Sequence, residues 1–219
     1  MTDVEPLELA PDLRKIYGKL GGDDLVIVNE LHQAKGFRKL HIETAVLGSS
    51  LDILHAVFFP DPLFDLPIFG VDLVAVPGTI SAAIVDLSPV GNSLPVFIEN
   101  ELFKLETPSF KSVRKIPEWG DIFSPYVQFI SPRDSFENEC FLNLVDQFLK
   151  ILITYSESIR PDSFNDPKTI ERYRKQVYYC FQQKRNDKTR NVLAKIFGLD
   201  WANKYIDKVL FDSPLRINI

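Results

Sequence analysis

Between Lys39 and Asp86 the chain passes through four short segments rich in Val, Ile, Leu and Phe: Lys39 to Leu47, Leu51 to Phe59, Ile68 to Val76 and Thr79 to Asp86. They are separated by Gly48-Ser49-Ser50, by a Pro-containing loop and by Pro77-Gly78. Links this short join only antiparallel neighbours, because parallel strands need crossovers of a dozen residues or more. The stretch is therefore expected to form an antiparallel meander. Pro95 to Phe103 and Pro125 to Ile130 are read as two further strands on the same grounds.

A sheet with apolar residues on both faces needs cover on both. From Ser135 the spacing turns helical, with Phe141, Leu144, Val145, Phe148, Leu149 and Leu152 on one stripe. A second helix is expected from Pro167 to about Gln183, and a third from Thr189 past Trp201 toward Val209. The first 36 residues read as partly helical, opened by Pro11-Asp12 and ended by Gly21-Gly22. Helices before and after the sheet would cover it from both sides, giving a three-layer α/β/α sandwich around a central antiparallel sheet. No repeat, low-complexity stretch or Gly/Ser linker divides the 219 residues, so residues 1–219 are expected to form a single domain.

Composition narrows the function classes. The net charge of -5 argues against general nucleic-acid binding, which needs a positive field to neutralise phosphates. No apolar run approaches the roughly 18 to 20 residues of a bilayer span. The acidic start MTDVEPLELAPDLRK is unlike a secretory signal, so a cytoplasmic location and no membrane contact are expected. Cys140 and Cys180 are too few for a disulfide framework or a cysteine-rich metal site. GKLGG at 18–22 lacks the spacing and context of a phosphate loop, and no GxSxG elbow occurs.

The meander also yields a register. Pairing Leu47 with Leu51 across the first turn sets Glu43 opposite His55, and pairing Phe59 with Ile68 sets His55 opposite Asp72. Facing Cβ atoms would then lie roughly 4.5 to 5.5 Å apart. A row of two carboxylates and an imidazole loses hydration on burial unless its members pair. Coupled in this way, the three can hold and release protons near neutral pH, which is what general acid catalysis requires. The plainer alternative is a hydrogen-bonded sheet histidine flanked by two surface acids. His41 shares the parity of Glu43 and keeps metal binding open as a minor option, although the usual facial triad has two histidines and one carboxylate; no metal is expected.

The stretches LDILHAVFFPDPLFDLPIFGVDLVA, ISAAIVDLSPV, IPEWGDIFSPY and NDKTRNVLAKIFGLDWANKYIDKVLFDSP occur here in that order. Through them the sequence resembles the ferredoxin-dependent bilin reductases, over about Leu40 to Leu215. The resemblance implies that biliverdin IXα binds between the central sheet and the carboxy-terminal helices. It also implies that there is no tightly bound metal or organic cofactor and that reduced ferredoxin supplies single electrons. The family's Glu, His and Asp look like Glu43 in HIETA, His55 in ILHAV and Asp72 in FGVDL. The implied roles are proton supply from Asp72 and His55 to the tetrapyrrole, and from Glu43 to the D-ring vinyl group, while the bilin carries the radical. Arg114, Lys188 and Ser81 are implied partners for the propionates, with Asn186 and Asp187 facing the ligand from the helical side.

Retention of Glu43 and His55 favours phycocyanobilin as product. Phycoerythrobilin or a dihydrobiliverdin is the alternative, and a bilin carrier that leaves the pigment's oxidation state unchanged is the rival from another class. From Lys168 to Lys204 there are ten Lys or Arg against Glu171, Asp187 and Asp200. Because plant-type ferredoxins are acidic, this segment is the expected docking surface, though it could equally be a solvated helical face.

Overall fold

The computed structural model describes residues 4–215; the outermost residues of both termini, including the first three of the acidic stretch, lie outside the described residues. Its centre is an eight-stranded antiparallel sheet: β1 Glu5–Pro6, β2 Lys15–Leu20, β3 Asp23–Ala34, β4 Phe37–Leu47, β5 Leu51–Pro60, β6 Ile68–Val76, β7 Thr79–Ser88 and β8 Gln128–Ile130. The spatial order is β1-β3-β4-β5-β6-β7-β8, with β2 sharing the outer edge of β3. The four strands of the meander and their tight links appear as the sequence implies.

The amino-terminal region departs from expectation. Its helix, α1 Pro11–Arg14, is a single turn, and the chain then forms β2 and β3. Leu25, Ile27 and Asn29 are buried at every second position, which is the period of a strand. Gly21 and Gly22 do not end a helix. Their φ values of 62° and 98° make the two-residue hairpin turn whose twist suits antiparallel strands.

Two helices pack on one face of the sheet, α2 Val96–Lys104 and α3 Ser135–Ser158. The segment read as a strand from Pro95 to Phe103 is thus helical. Only Ile98 and Leu102 bury, four residues apart, while Val96 and Phe103 stay exposed. On α3 the buried stripe Phe141, Leu144, Phe148, Ile151 and Leu152 meets Ala56, Phe69, Val71, Val85 and Leu87 from the sheet. Asp134 caps α3 by accepting the Glu137 N–H at 2.9 Å.

The other face carries α4 Pro167–Gln183, α5 Asp187–Phe197 and α6 Leu199–Tyr205, which runs into a π-helical turn, Ile206–Leu210. Tyr179, Leu193, Tyr205 and Val209 pack there against Ile27, Val57, Phe59 and Ile68. Both helical layers therefore come from residues after β7, rather than one from each side of the sheet. The expected third helix is interrupted at Gly198, whose φ of 87° separates α5 from α6. Arg172 and Gln176 of α4 donate to the carbonyls of Pro62 and Pro60, tying that helix to the end of β5 and the loop that follows.

Candidate active site

The register places Asn29 opposite Glu43, Glu43 opposite His55, and His55 opposite Asp72, across β3, β4, β5 and β6. Alternation along each strand turns this row toward α4, α5 and α6. The His55 Nδ1–H donates to Asp72 Oδ1 at 2.6 Å. His55 Nε2 is buried and has no protein partner. The imidazole edge meets the rings of His41, at 5.9 Å between centroids, and Phe211, at 5.8 Å. The open end of the row is Asp72, whose side chain is 48% exposed against 13% for His55, so a ligand reaching the row meets that carboxylate first.

Burial works against charge on Glu43 and His55, and neighbours decide the outcome. Glu43 is pushed above the usual carboxylate range by burial, despite the opposing pull of the His55 charge. Burial also disfavours the imidazolium of His55, yet His55 is raised above an ordinary histidine, chiefly by the Asp72 charge and the Asp72 hydrogen bond. His41, one pair further along β4, has no such carboxylate. Burial, helped by the nearby His55 and Lys39 charges, drops it to about 2, so it stays neutral. The row thus combines a carboxyl group inclined to keep its proton with an imidazole inclined to hold an extra one.

Around the row, Lys39 anchors the end of the chain. Its buried ammonium donates to the Val209 carbonyl at 2.9 Å and pairs with Asp212, which Arg38 also grips at 2.8 Å. These ties fix the segment that brings Phe211 against His55. At the other end, Gly70 leaves room for the Tyr179 hydroxyl, 3.5 Å from where a Cβ would stand. Tyr179 also lines a cleft of about 370 Å³ bounded by Pro89, Leu94, Phe123 and Lys175. A wider surface hollow lies along Tyr17–Lys19 and Asp24–Val26, at the β2–β3 edge and away from the row's open end.

Ser81 and Arg114 come together near the β7–β8 edge. Ser81 is the extra residue of a bulge, with Ala82 paired to Val74 and Ile80 to Ala75. Its hydroxyl donates to the Val74 carbonyl, and its own carbonyl accepts from Arg114 at 3.2 Å. Arg114 also lies over the Phe129 ring, 5.0 Å from the centroid, which leaves several guanidinium N–H groups uncommitted. Asn186, Asp187 and Lys188 form the start of α5. Asn186 caps that helix through the Lys188 N–H, Asp187 pairs with Arg190 at 2.6 Å, and Lys188 is exposed. Among the described residues none of their hydrogen bonds reaches the sheet, and no group of three or more His, Cys, Asp or Glu is arranged to hold a metal.

Sequence reasoning missed Asn29 and Tyr205. The Tyr205 hydroxyl lies 2.5 Å from Glu43 Oε2 and 2.8 Å from Asn29 Oδ1, and Asn29 Oδ1 is also 2.8 Å from His41 Nε2. Asn29 was hidden because no strand was read over residues 23–34, so it had no register partner. Tyr205 sits in an apolar stripe where a tyrosine looks like any other core residue.

A large antiparallel sheet with helices on both faces, bearing a row of titratable side chains, agrees with a family match over residues 1–212: the chain belongs to the ferredoxin-dependent bilin reductases. Among its relatives, a phycocyanobilin:ferredoxin oxidoreductase of Prochlorococcus marinus is 67% identical over 216 residues, covering 99% of this chain and 87% of that protein. Another of the same description, from a Synechococcus species, is 50% identical over 98% of this chain and 87% of its own length. In structure the chain resembles tomato phytochromobilin synthase, solved as the selenomethionine protein in complex with biliverdin. That match has a TM-score of 0.77 and 18% identity, and it covers all of this chain and 80% of the other, which supports the fold.

Proposed function

We propose that this chain, acting as one domain, reduces biliverdin IXα to phycocyanobilin with electrons taken singly from reduced ferredoxin. The conversion takes up four electrons and four protons, two of each for every double bond removed. In this reading the bilin lies between the sheet and α4 to α6 and carries the radical between electron arrivals, with no bound cofactor as intermediary. Asp72 and His55 pass protons to the tetrapyrrole, and Glu43 protonates the D-ring vinyl group. Arg114, Lys188 and Ser81 hold the propionates, with Asn186 and Asp187 on the helical side; a cation against each carboxylate gives a strong charge-assisted contact.

The observation that carries the reading is the row itself. Three titratable groups stand side by side on three adjacent strands, with the Nε2 of His55 buried and unpartnered. A carrier would have no use for groups poised to give up protons beside the pigment. The names of the relatives at 50% to 67% identity support phycocyanobilin as product.

The test is anaerobic turnover of biliverdin with reduced ferredoxin, followed by absorbance and by chromatography of the product. Phycocyanobilin is expected. A stable bound spectrum without turnover would indicate a carrier, and phycoerythrobilin or a dihydrobiliverdin would overturn the product assignment. Asp72→Asn should still bind biliverdin but stall after the first electron; undiminished product from that variant would remove Asp72 from the mechanism.

A further inference from the structure

Three buried polar groups, Asn29 on β3, His41 on β4 and Tyr205 on α6, meet the half-buried Glu43 at one end of the row. Their hydrogens can be counted. The Asn29 amide is oriented by Leu13, because its Nδ2 donates to the Leu13 carbonyl at 2.8 Å; a flipped amide would set two carbonyl oxygens against each other. Asn29 Oδ1 therefore faces inward as an acceptor. It follows that His41 Nε2 carries a hydrogen and donates it to that oxygen, leaving Nδ1 bare, and Nδ1 is indeed buried without a partner.

The Tyr205 hydroxyl has one hydrogen and two acceptor neighbours. If it donates to Glu43, the 2.8 Å approach to Asn29 Oδ1 becomes a buried contact between two oxygens with no hydrogen between them. An unmade hydrogen bond of that kind costs about 1–3 kcal/mol. If it donates to Asn29, the contact to Glu43 needs a hydrogen that only a protonated Glu43 can supply. Every contact among the three oxygens is satisfied in the second arrangement alone.

We infer that Tyr205 is a positioning residue that holds Glu43 as a neutral carboxylic acid by accepting its proton in a hydrogen bond, while Tyr205's own hydrogen goes to Asn29. The hydrogen bonds run in one direction, from Glu43 to Tyr205 to Asn29, with His41 closing the chain on the same amide oxygen. Glu43 is thereby kept loaded before substrate arrives. Burial, the largest influence on Glu43, pushes in the same direction, and the lowering pull of Tyr205 belongs to the alternative in which its hydroxyl donates to a carboxylate. The groups facing Glu43 are His55 from β5, Asp72 beyond it on β6, Asn29 from β3 and Tyr205 from α6, with His41 and Lys39 further along β4. The inference rests on the reading of Glu43 as a proton donor to the bilin.

The sign of one substitution discriminates. Because Tyr205 accepts from the neutral acid, Tyr205→Phe withdraws support from the protonated form and makes Glu43 ionise at lower pH. Were Tyr205 donating to a carboxylate, the same change would make Glu43 ionise at higher pH. The readout is the infrared carbonyl band of a protonated carboxyl, assigned to Glu43 by its loss in Glu43→Gln and titrated in the substrate-free protein. Asn29→Ala, which frees the Tyr205 hydrogen to turn toward Glu43, should move the band in the same direction.

A band that stays in place or moves to higher pH in the variants would overturn the inference. In turnover, Tyr205→Phe should keep its affinity for biliverdin and lose rate in the Glu43-dependent half of the reduction. The loss is about tenfold for each pH unit by which the working pH exceeds the new midpoint. A band shifted as expected, with product formation unchanged at every pH, would leave the hydrogen-bond direction standing and instead remove Glu43 from its role as donor.

Discussion

Asp86 lies on the sheet face that carries Asp72, opposite Gly70 on the neighbouring strand, and is 2% exposed. Its carboxylate accepts from the Ser124 hydroxyl at 2.6 Å, from the Ser124 N–H at 3.0 Å and from the Ser88 hydroxyl at 2.5 Å, pinning the loop before β8 to β7. Burial nevertheless pushes Asp86 up to about 6 from an ordinary 3.8, against the pull of those hydrogen bonds. A folded-state value above the unfolded one means that the native state binds the proton more tightly. Stability from this group is therefore full below the unfolded value and lost progressively as pH rises between the two. The loss is on the order of 3 kcal/mol by pH 7. Asp86→Asn has no charge to bury and can still donate from its amide to the Ser124 oxygen. Urea denaturation at pH 4 and pH 7 should show a weaker fall in stability with pH in the variant than in the unaltered chain, and parallel slopes would rule Asp86 out as the source.

At the level of elements, β4 to β7 were legible because their links are so short that strand pairing had no alternative. The register then followed by counting, and with it the neighbourhood of Glu43, His55 and Asp72. The errors fell where local pattern was ambiguous. Leu25 to Asn29 alternate, but Val26 and Val28 between them are also apolar, which blurs the period; Val96 to Phe103 carries apolar residues on several sides yet buries only two side chains. Asn29 and Tyr205 stayed hidden for a different reason, since their role exists only once α6 is laid across β3 and β4. Gly198 governs that placement. Its φ of 87° and ψ of 157° lie in a region that is essentially restricted to glycine. A Cβ there would meet no atom within 4 Å, so the cost of Gly198→Ala is backbone strain alone, about 1–3 kcal/mol. The expected outcome is a lower denaturation midpoint with an unchanged urea slope, and a midpoint equal to that of the unaltered chain would show that the kink is not strained.

Across the whole molecule the net charge is -5, yet seven of the ten cations between Lys168 and Lys204 are exposed. The other three are engaged: Arg172 is buried against the Pro62 and Leu63 carbonyls and Asp162, Lys184 pairs with Asp207, and Arg190 pairs with Asp187. Among the described residues no helix is long and apolar enough to cross a membrane. These exposed cations sit on the helical layer that covers the row, and we propose that together they attract an acidic partner. An acidic electron carrier drawn to them would arrive on the side where the proposed function places the bilin. Attraction between solvent-exposed charges fades as salt shortens the screening length from about 14 Å at 0.05 M to about 6 Å at 0.3 M. The KM for reduced ferredoxin should therefore rise several-fold over that range, while turnover driven by a small-molecule reductant changes little. Lys168→Glu combined with Arg174→Glu should raise the same KM at low salt and flatten its salt dependence, leaving the Kd for biliverdin unchanged. A KM indifferent to both salt and charge reversal would place the docking site elsewhere on the surface.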